Sequence, residues 1–368
     1  MEIIKKTEFQ ELREEVEAGL EGRNSGIPMG FNRLNSYIGI RKSMYTLVGG
    51  YTGSAKSTYI DCAYVLNPLD WYFENAHKTN IKLKIIYWSM ERKRKYKIAK
   101  WVSRKIFLEE GVVIPIDKML GWTSKMNKGE VDLFNRYEDY IDTMFNEGII
   151  TMHDSPTNPT GIWKQLKEYA EGSEDGKTKG IGEMTHPDKF TKVFNEYDPN
   201  LVTIVIIDHI SLSPSEKGME KKANIDKLSE YMRIVRDTYS LTPVVVQQFN
   251  RSISNPIRLK NLDVNPSLED FAETATTQHD ADIVLSLFDP MRYKVEDPSG
   301  YDLEKLRLPN GNKLYRSLSI LKSNFSSDDI RIGLALQPEV GIFKEMIKKQ
   351  DIQESDYEGI RNNSYFLK

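Results

Sequence analysis

The sequence predicts an α/β domain with a mostly parallel, twisted sheet flanked by helices, and three of its features point there. Short runs rich in Ile, Val and Leu recur from residue 45 onward. Stretches with helical spacing of apolar residues separate most of the earlier runs. A Gly/Ser/Lys loop also sits directly between one such run and a helix-like stretch. Alternation of this kind is what a sheet covered on both faces requires, because its strands are buried on both sides.

Taken in order, residues 1–25 form an amphipathic arm and linker. Phe9, Leu12, Val16 and Leu20 fall on one helical stripe, which breaks at Gly22 to Gly26. Such an arm either folds back on its own domain or docks on a neighbouring subunit. Residues 26–345 carry the sheet, with strands predicted at Tyr45–Val48, Leu83–Trp88, Gly148–Met152, Val202–Ile207, Pro243–Val246, Ile283–Leu287 and Leu318–Leu321. Ile330–Leu336 and Val340–Phe343 read as an antiparallel pair turned at Gln337–Glu339. Two polar segments, 172–189 and 289–312, are rich in Gly, Pro and charge and read as surface insertions. Residues 346–368 form a charged tail ending in Tyr-Phe-Leu, expected to be helical or frayed.

Composition narrows the function. The 368 residues give a soft prior of roughly two domains, equally well met by one large α/β domain with appendages. Fifty-one Lys and Arg against 54 Asp and Glu leave a net charge of −3, so a nucleic-acid partner has to be met by a local patch. One cysteine, Cys62, excludes an internal disulfide, and with five scattered histidines it excludes a Cys-rich zinc site. The expected home is a reducing cytoplasm. The longest apolar run, Val202–Ile207, is far short of a membrane span, and the N-terminus, MEIIKKTEFQELREE, is not a signal peptide.

The chemistry sits at Gly50–Ser57, GYTGSAKS. A phosphate loop needs small residues so that backbone N–H groups can wrap phosphate oxygens, a lysine for the β and γ phosphates, and a hydroxyl for Mg²⁺. Gly50, Gly53, Ser54, Lys56, Ser57 and Thr58 meet that need, whereas Ala55 stands where glycine is usual and raises the question of a positive φ there. Hydrolysis also needs a carboxylate at a neighbouring strand end, and Asp208 closes the apolar run VTIVIID. Its plainer role would be a helix N-cap. Glu91, after IIYWSM, is placed to act as the base, or simply to open the following helix.

In order along the chain, GIPMGF at Gly26, GYTGSAKS, IIYWSMER, HDSPTNPT at His153, IVIIDHISL, VVVQQFNRS, QHDADIVLSLF and SILKSNF resemble the motifs of DnaB-family replicative helicases. The resemblance is to their C-terminal motor domain, a RecA-like P-loop ATPase, and it covers about residues 26–345. It implies ATP and Mg²⁺ as cofactors, Lys56 and Ser57 as phosphate and Mg²⁺ contacts, Glu91 as the catalytic glutamate and Asp208 as the Walker B aspartate. Gln248 resembles the glutamine that senses the γ-phosphate, and Lys322 the lysine that reaches into a neighbour's site. It further implies a homo-oligomeric, hexameric ring on single-stranded DNA, a primase or helicase loader as partner, and no membrane.

Three departures qualify this. Asn324 stands where the family places an arginine finger, so Lys322 or Arg331 would have to supply that charge. Ala272 and Ala275 stand where the family has a DNA-contacting arginine and a glycine. Only about 25 residues precede the entry motif, so a version without the family's N-terminal helical domain is expected, such as a phage encodes. DNA contacts are then expected from Arg251, Arg258 and Lys260 after Gln248 and from Lys217, Lys221 and Lys222, unless these are solvated surface charge. The run Arg92–Lys105 carries eight Lys or Arg but also Ile98, Trp101, Val102 and Ile106 on one face, which predicts an amphipathic helix with a solvated or subunit-facing basic side. Asp280 and Asp282 in HDAD read as strand-entry contacts and not as a metal cluster. Besides a helicase motor, two other functions fit: an ATPase that remodels DNA or protein without unwinding, and a low-turnover nucleotide-binding scaffold.

Overall fold

A computed structural model of the chain describes residues 7–20, 26–189, 191–250, 258, 260, 264–271 and 276–367. The chain enters through helix α1 (Glu8–Leu20), followed by α2 (Asn32–Tyr37) and strand β1 (Thr46–Gly50). A helical run follows the phosphate loop: α3 (Lys56–Ile60), a π-helical turn (Asp61–Leu66) and α4 (Asn67–Asn75). Then come β2 (Lys82–Ser89), α5 (Arg94–Glu110), α6 (Ile116–Met119), α7 (Lys128–Asn135), α8 (Glu138–Asn146), β3 (Ile150–His153) and α9 (Pro159–Glu171). The second half holds β4 (Gly182–Thr185), β5 (Val193–Glu196), β6 (Leu201–Asp208), α10 (Lys221–Tyr239), β7 (Thr242–Gln248), β8 (Ile283–Phe288), β9 (Tyr315–Ser323), β10 (Ile330–Gln337) and β11 (Ile342–Glu345).

Nine strands form one sheet in the order β11-β10-β9-β8-β1-β7-β6-β2-β3. From β8 to β3 all neighbours run parallel, and β9, β10 and β11 add antiparallel strands at one side. Each predicted strand is present; most gain one to five residues at their ends, whereas β3 is one residue shorter than expected and β11 keeps its length but starts two residues later. Successive residues of β6 and β7 face opposite cores: Ile204, Ile206, Val244 and Val246 on one side, Val205, Ile207 and Val245 on the other. That two-sided burial is why these strands read as continuous apolar runs. α10 covers the second face through Ile225, Leu228, Met232, Val235 and Tyr239, a 3.6-residue stripe. α9 starts where Asn158 accepts a hydrogen bond from Gly161 N and Pro159 needs no donor.

The consequence for function lies at one edge. Parallel pairing aligns the carboxyl ends of β1, β7, β6 and β2, with Gly50 opposite Gln248 and Ser89 opposite Asp208. Ligand sites of open α/β sheets form at such ends.

The segments expected to be peripheral carry more packing than their composition suggests. Segment 172–189 leads into the antiparallel β4–β5 hairpin, which docks Phe194 edge-on against Tyr239. Segment 289–312 is not only surface, because Met291, Tyr301 and Leu306 are buried in a third apolar cluster. The tail is not frayed: a helix at Glu354–Arg361 and the turn after it bury Tyr357, Ile360, Tyr365 and Phe366 in that same cluster, against Phe107 and Tyr315. Charged residues between these apolar positions masked the pattern in the sequence. The apolar stripe of α1 lies open, with Phe9, Leu12, Val16 and Leu20 between 54% and 85% exposed.

Ile360 is fully buried, so Ile360→Ala should lower stability by about 2–5 kcal/mol. A shift in the urea unfolding midpoint measures it, and an unshifted midpoint would mean the tail does not contribute to the core.

Candidate functional site

The loop between β1 and α3 is shaped by its backbone. A Cβ on Gly50 would lie 2.6 Å from Leu287 O and 2.7 Å from Ser54 Oγ, so only glycine fits there. Ala55 has φ +70° and ψ +32°, the left-handed conformation that the sequence left open, and it turns the chain so that the helical run begins at Lys56. Arg316 on β9 braces the loop from behind: its Nε donates to Ser54 O at 3.1 Å, while its guanidinium lies 3.5 Å from Asp289. Arg292 donates to Thr52 O. Both hold carbonyls on the outside of the turn.

A cavity of about 190 Å³ opens on this loop, lined by Thr52, Gly53, Ala55, Lys56, Ser57 and Thr58 on one side and by Glu91, Asp208, His209 and Gln248 from the neighbouring strand ends. The structure thus brings together the expected loop residues, the expected base, the expected metal-side carboxylate and the expected sensor. Lys56 Nζ donates to Gly50 O at 2.7 Å and to Tyr51 O at 3.1 Å, and burial lowers its pKa to about 8 against the pull of Asp208 and Glu91. Ser57 Oγ donates to Asp208 Oδ1 at 3.1 Å. Gln248 Nε2 donates to Thr52 Oγ1, tying the β7 end to the loop.

A hydroxyl and a carboxylate side by side are oxygen donors suited to a hard divalent cation, which takes one or two protein ligands and completes its shell with water and phosphate. No cluster of three acidic, His or Cys ligands exists among the described residues. Ser54 Oγ is buried within the loop, beside Gly50, without a hydrogen-bond partner among the described residues, and Ser54 does not line the cavity. Ser57 and Asp208 therefore fit Mg²⁺, and the loop fits phosphate.

The opposite wall comes from Arg92, just before α5, and from Tyr96, Lys97 and Lys100 on α5. Here the basic helix departs from expectation. Lys97 is 3% exposed and sits between Asp61 and Asp208, and Arg104 is buried against Asp70 and Asn67, so part of the basic side is interior. Lys97 lies four residues before the buried Trp101, on the apolar face. Asp61 interrupts the apolar stretch Tyr59–Leu66. That isolated charge in an apolar helix face was the sequence signal for this network. His209 and Arg316 carried no comparable signal.

Other expected residues lie elsewhere. Lys322, near the end of β9, pairs with Val284 at the amino end of β8, across the sheet from the phosphate loop. Its three N–H donors reach Gln278 O, His279 O and Ala281 O at 2.9, 3.3 and 2.7 Å, closing the short helix Thr276–Asp280. Asn324 donates to Asp282 Oδ1 at 3.2 Å, and Arg331 lies 3.6 Å from Asp329. Asp280 and Asp282 make strand-entry contacts, Asp280 with Ser229 Oγ and Asp282 with Tyr45 N and Arg236. Arg258 is not a free basic side chain: its Nη1 is 2.5 Å from Oδ1 of Asp270, a buried carboxylate that needs a counter-charge. Lys260, Lys217, Lys221 and Lys222 are exposed. Arg251, Ala272 and Ala275 lie outside the described residues.

Two solved structures superimpose on nearly the whole chain. An ATPase domain covers 93% of this chain and 100% of its own at TM-score 0.65 and 16% identity. A DnaB-like replicative helicase, solved for its interactions with primase, covers 94% of this chain and 69% of its own at TM-score 0.65 and 17% identity. The fold is that of a DnaB-like helicase ATPase domain. In sequence, the chain is 24% identical over 118 residues to the replicative DNA helicase DnaB of Mycobacterium leprae (strain TN), and 22% identical over 118 residues to that of Mycobacterium intracellulare. Those stretches are 32% of this chain and only about a fifth of the relatives' length. No family model matches the chain. The DnaB-like sheet accounts for the phosphate loop and the strand-end residues meeting at one edge.

The left-handed Ala55 stores strain that glycine would not, since an L residue in this region costs about 1–2 kcal/mol. Ala55→Gly should therefore raise stability by about 0.5–1 kcal/mol after the added freedom of the unfolded chain is offset. Urea unfolding measures it, and a loss of stability would mean that the Ala55 methyl packs favourably.

Proposed function

We propose that the chain is the ATP-hydrolysing motor of a DnaB-like replicative helicase, working in a ring on single-stranded DNA. The observation that carries the proposal is the convergence of Lys56, Ser57, Asp208, Glu91 and Gln248 on one cavity at the carboxyl edge of the sheet. Lys56 and the loop amides bind the phosphates, and Ser57 with Asp208 hold Mg²⁺, whose charge would offset that of the transferring phosphoryl group. Glu91 accepts the proton of the attacking water. Gln248, bonded to Thr52 in the loop, reports the γ-phosphate to the segment after β7. Exposed Lys217, Lys221, Lys222 and Lys260 are the basic residues we assign to phosphates of the DNA strand, with little base selectivity.

The open apolar stripe of α1 supports assembly with further copies, six in a closed ring, and a primase or loader would engage that ring. Among the described residues no helix is long and apolar enough to cross a membrane, and we place the protein in the cytoplasm. One observation favours a second reading, a nucleotide-binding scaffold of low turnover. Lys322 and Asn324 are both engaged within their own chain and Asn324 carries no charge, so neither presents a cation to a neighbour's phosphates.

Steady-state Mg-ATPase activity with and without single-stranded DNA decides between them. We expect turnover that DNA stimulates several-fold and that Lys56→Ala abolishes; turnover indifferent to DNA would leave the scaffold or a remodelling ATPase. Glu91→Gln should retain nucleotide binding and lower kcat by about 10²–10⁴-fold. A Glu91→Gln enzyme with wild-type kcat would remove Glu91 from the chemistry.

A further inference from the structure

The buried charges beside the phosphate loop form a network that nothing in the phosphate-site reading requires. Lys97 Nζ is 3.0 Å from Asp61 Oδ1 and 3.2 Å from Asp208 Oδ2, and it also donates to the Tyr87 hydroxyl. An ammonium has three N–H donors, and here all three have partners. The Tyr87 hydroxyl lies 3.0 Å from Asp61 Oδ1 and 3.0 Å from Asp208 Oδ2, so its single proton serves one carboxylate while the ammonium serves both. Lys97 is 3%, Asp208 1%, Asp61 6% and Tyr87 0% exposed, so water does not compete for these bonds.

The two oxygens of Asp208 are thereby divided. Oδ2 is held from inside by Lys97 and Tyr87, and Oδ1 faces Ser57 on the loop. A carboxylate held through one oxygen has no rotational freedom left at the other. The anchors come from three elements: Asp61 from the π-helical turn behind the phosphate loop, Tyr87 from β2, and Lys97 from α5.

Resting on the assignment of Ser57 and Asp208 to Mg²⁺, we propose that Lys97 is a positioning residue for the metal-side carboxylate. Its ammonium, shared between Asp61 and Asp208, fixes the orientation in which Asp208 meets the cation. Lys97 borders the cavity but is only 3% exposed, and its three N–H donors are engaged by Asp61, Asp208 and Tyr87, so it acts through Asp208. Groups that orient a metal-side ligand from behind typically change metal affinity by about 10–100-fold when removed.

The test is equilibrium binding of a fluorescent ADP analogue with Mg²⁺ titrated, alongside thermal unfolding. Lys97→Met alone strands two buried carboxylates and is expected to misfold, so the informative variant is Lys97→Met combined with Asp61→Asn, which removes one charge of each sign at nearly constant shape. We expect it to fold, to bind the analogue without Mg²⁺ as the wild type does, and to need about tenfold more Mg²⁺ for half-maximal tightening of binding. Tyr87→Phe, which removes only the hydroxyl, should need a few-fold more Mg²⁺, in the same direction. Lys97→Arg should restore most of the wild-type Mg²⁺ dependence.

A purely structural role would instead lower the melting temperature and the Mg²⁺-free affinity together while leaving the Mg²⁺ midpoint in place, in the double variant and in Tyr87→Phe alike. That result would overturn the proposal. Wild-type protein that binds the analogue but shows no Mg²⁺ dependence would overturn it as well. Wild-type protein that binds no nucleotide at all would instead overturn the phosphate-site assignment beneath it, so the two failures are distinguishable.

Discussion

A carboxylate at the end of the most apolar strand is the constraint around which this molecule is arranged. β6 runs through Val202, Ile204, Val205, Ile206 and Ile207 and ends at Asp208, 1% exposed. Ionised and alone, such a group would cost several kcal/mol to bury. It stays ionised because burial, which would raise its pKa, is outweighed by Lys97, Ser57 and Tyr87, and the net shift is downward. Lys97 answers in kind: burial opposes its charge, yet Asp61 and Asp208 hold its pKa above the ordinary lysine value. Each charge offsets the burial cost of the other, and removing one side of such a pair alone costs about 3–5 kcal/mol.

That pairing has architectural consequences. It joins the end of β6 to α5 and to the turn behind the phosphate loop, three pieces far apart in sequence. Asp61 opens the π-helical turn Asp61–Leu66, whose extra residue per turn re-registers the side chains that follow. On the far side of the loop, Arg316 and Arg292 draw its carbonyls outward. The loop is thus fixed from both flanks, by a buried ion-pair network on one and by arginine-to-carbonyl bonds on the other. A phosphate site built this way is formed before any ligand arrives, and that spares binding the entropy of ordering it.

Much of this was legible in the sequence, and what was missed has physical reasons. The strands were readable because two-sided burial leaves apolar runs with no alternation to misjudge, and the loop was readable because strand, small residues, Lys-Ser and helix occur together. That Glu91 and Asp208 would meet the loop was suggested by their places after apolar strands, although capping or opening a helix also explained them. Gln248 was singled out only by the resemblance; all three line the cavity. Lys97 was hidden inside a basic run, where charge suggested solvent although its position four residues before Trp101 placed it on the apolar face. The packing of the C-terminal helix into the core was hidden for the opposite reason, with its few apolar residues spaced among charges. Arg258 was misjudged because a basic residue in a polar stretch looks available until Asp270 is seen beneath it.

The same physics bears on how the motor would divide its labour between copies. Within one chain, the groups to which we assign phosphate binding, Mg²⁺ and proton acceptance lie together at the carboxyl edge of the sheet. The groups that resemblance assigns to a neighbour's site, Lys322 and Asn324, lie at the opposite edge and are satisfied by their own chain. Freeing Lys322 for a neighbour would orphan three carbonyls at the end of the helix Thr276–Asp280, a penalty that the neighbour's phosphate would have to exceed. Burial also lowers the pKa of Lys322. Contact with a nucleotide across an interface would therefore be conditional on loosening the entry to β8, which ties any trans contribution to a movement of that segment.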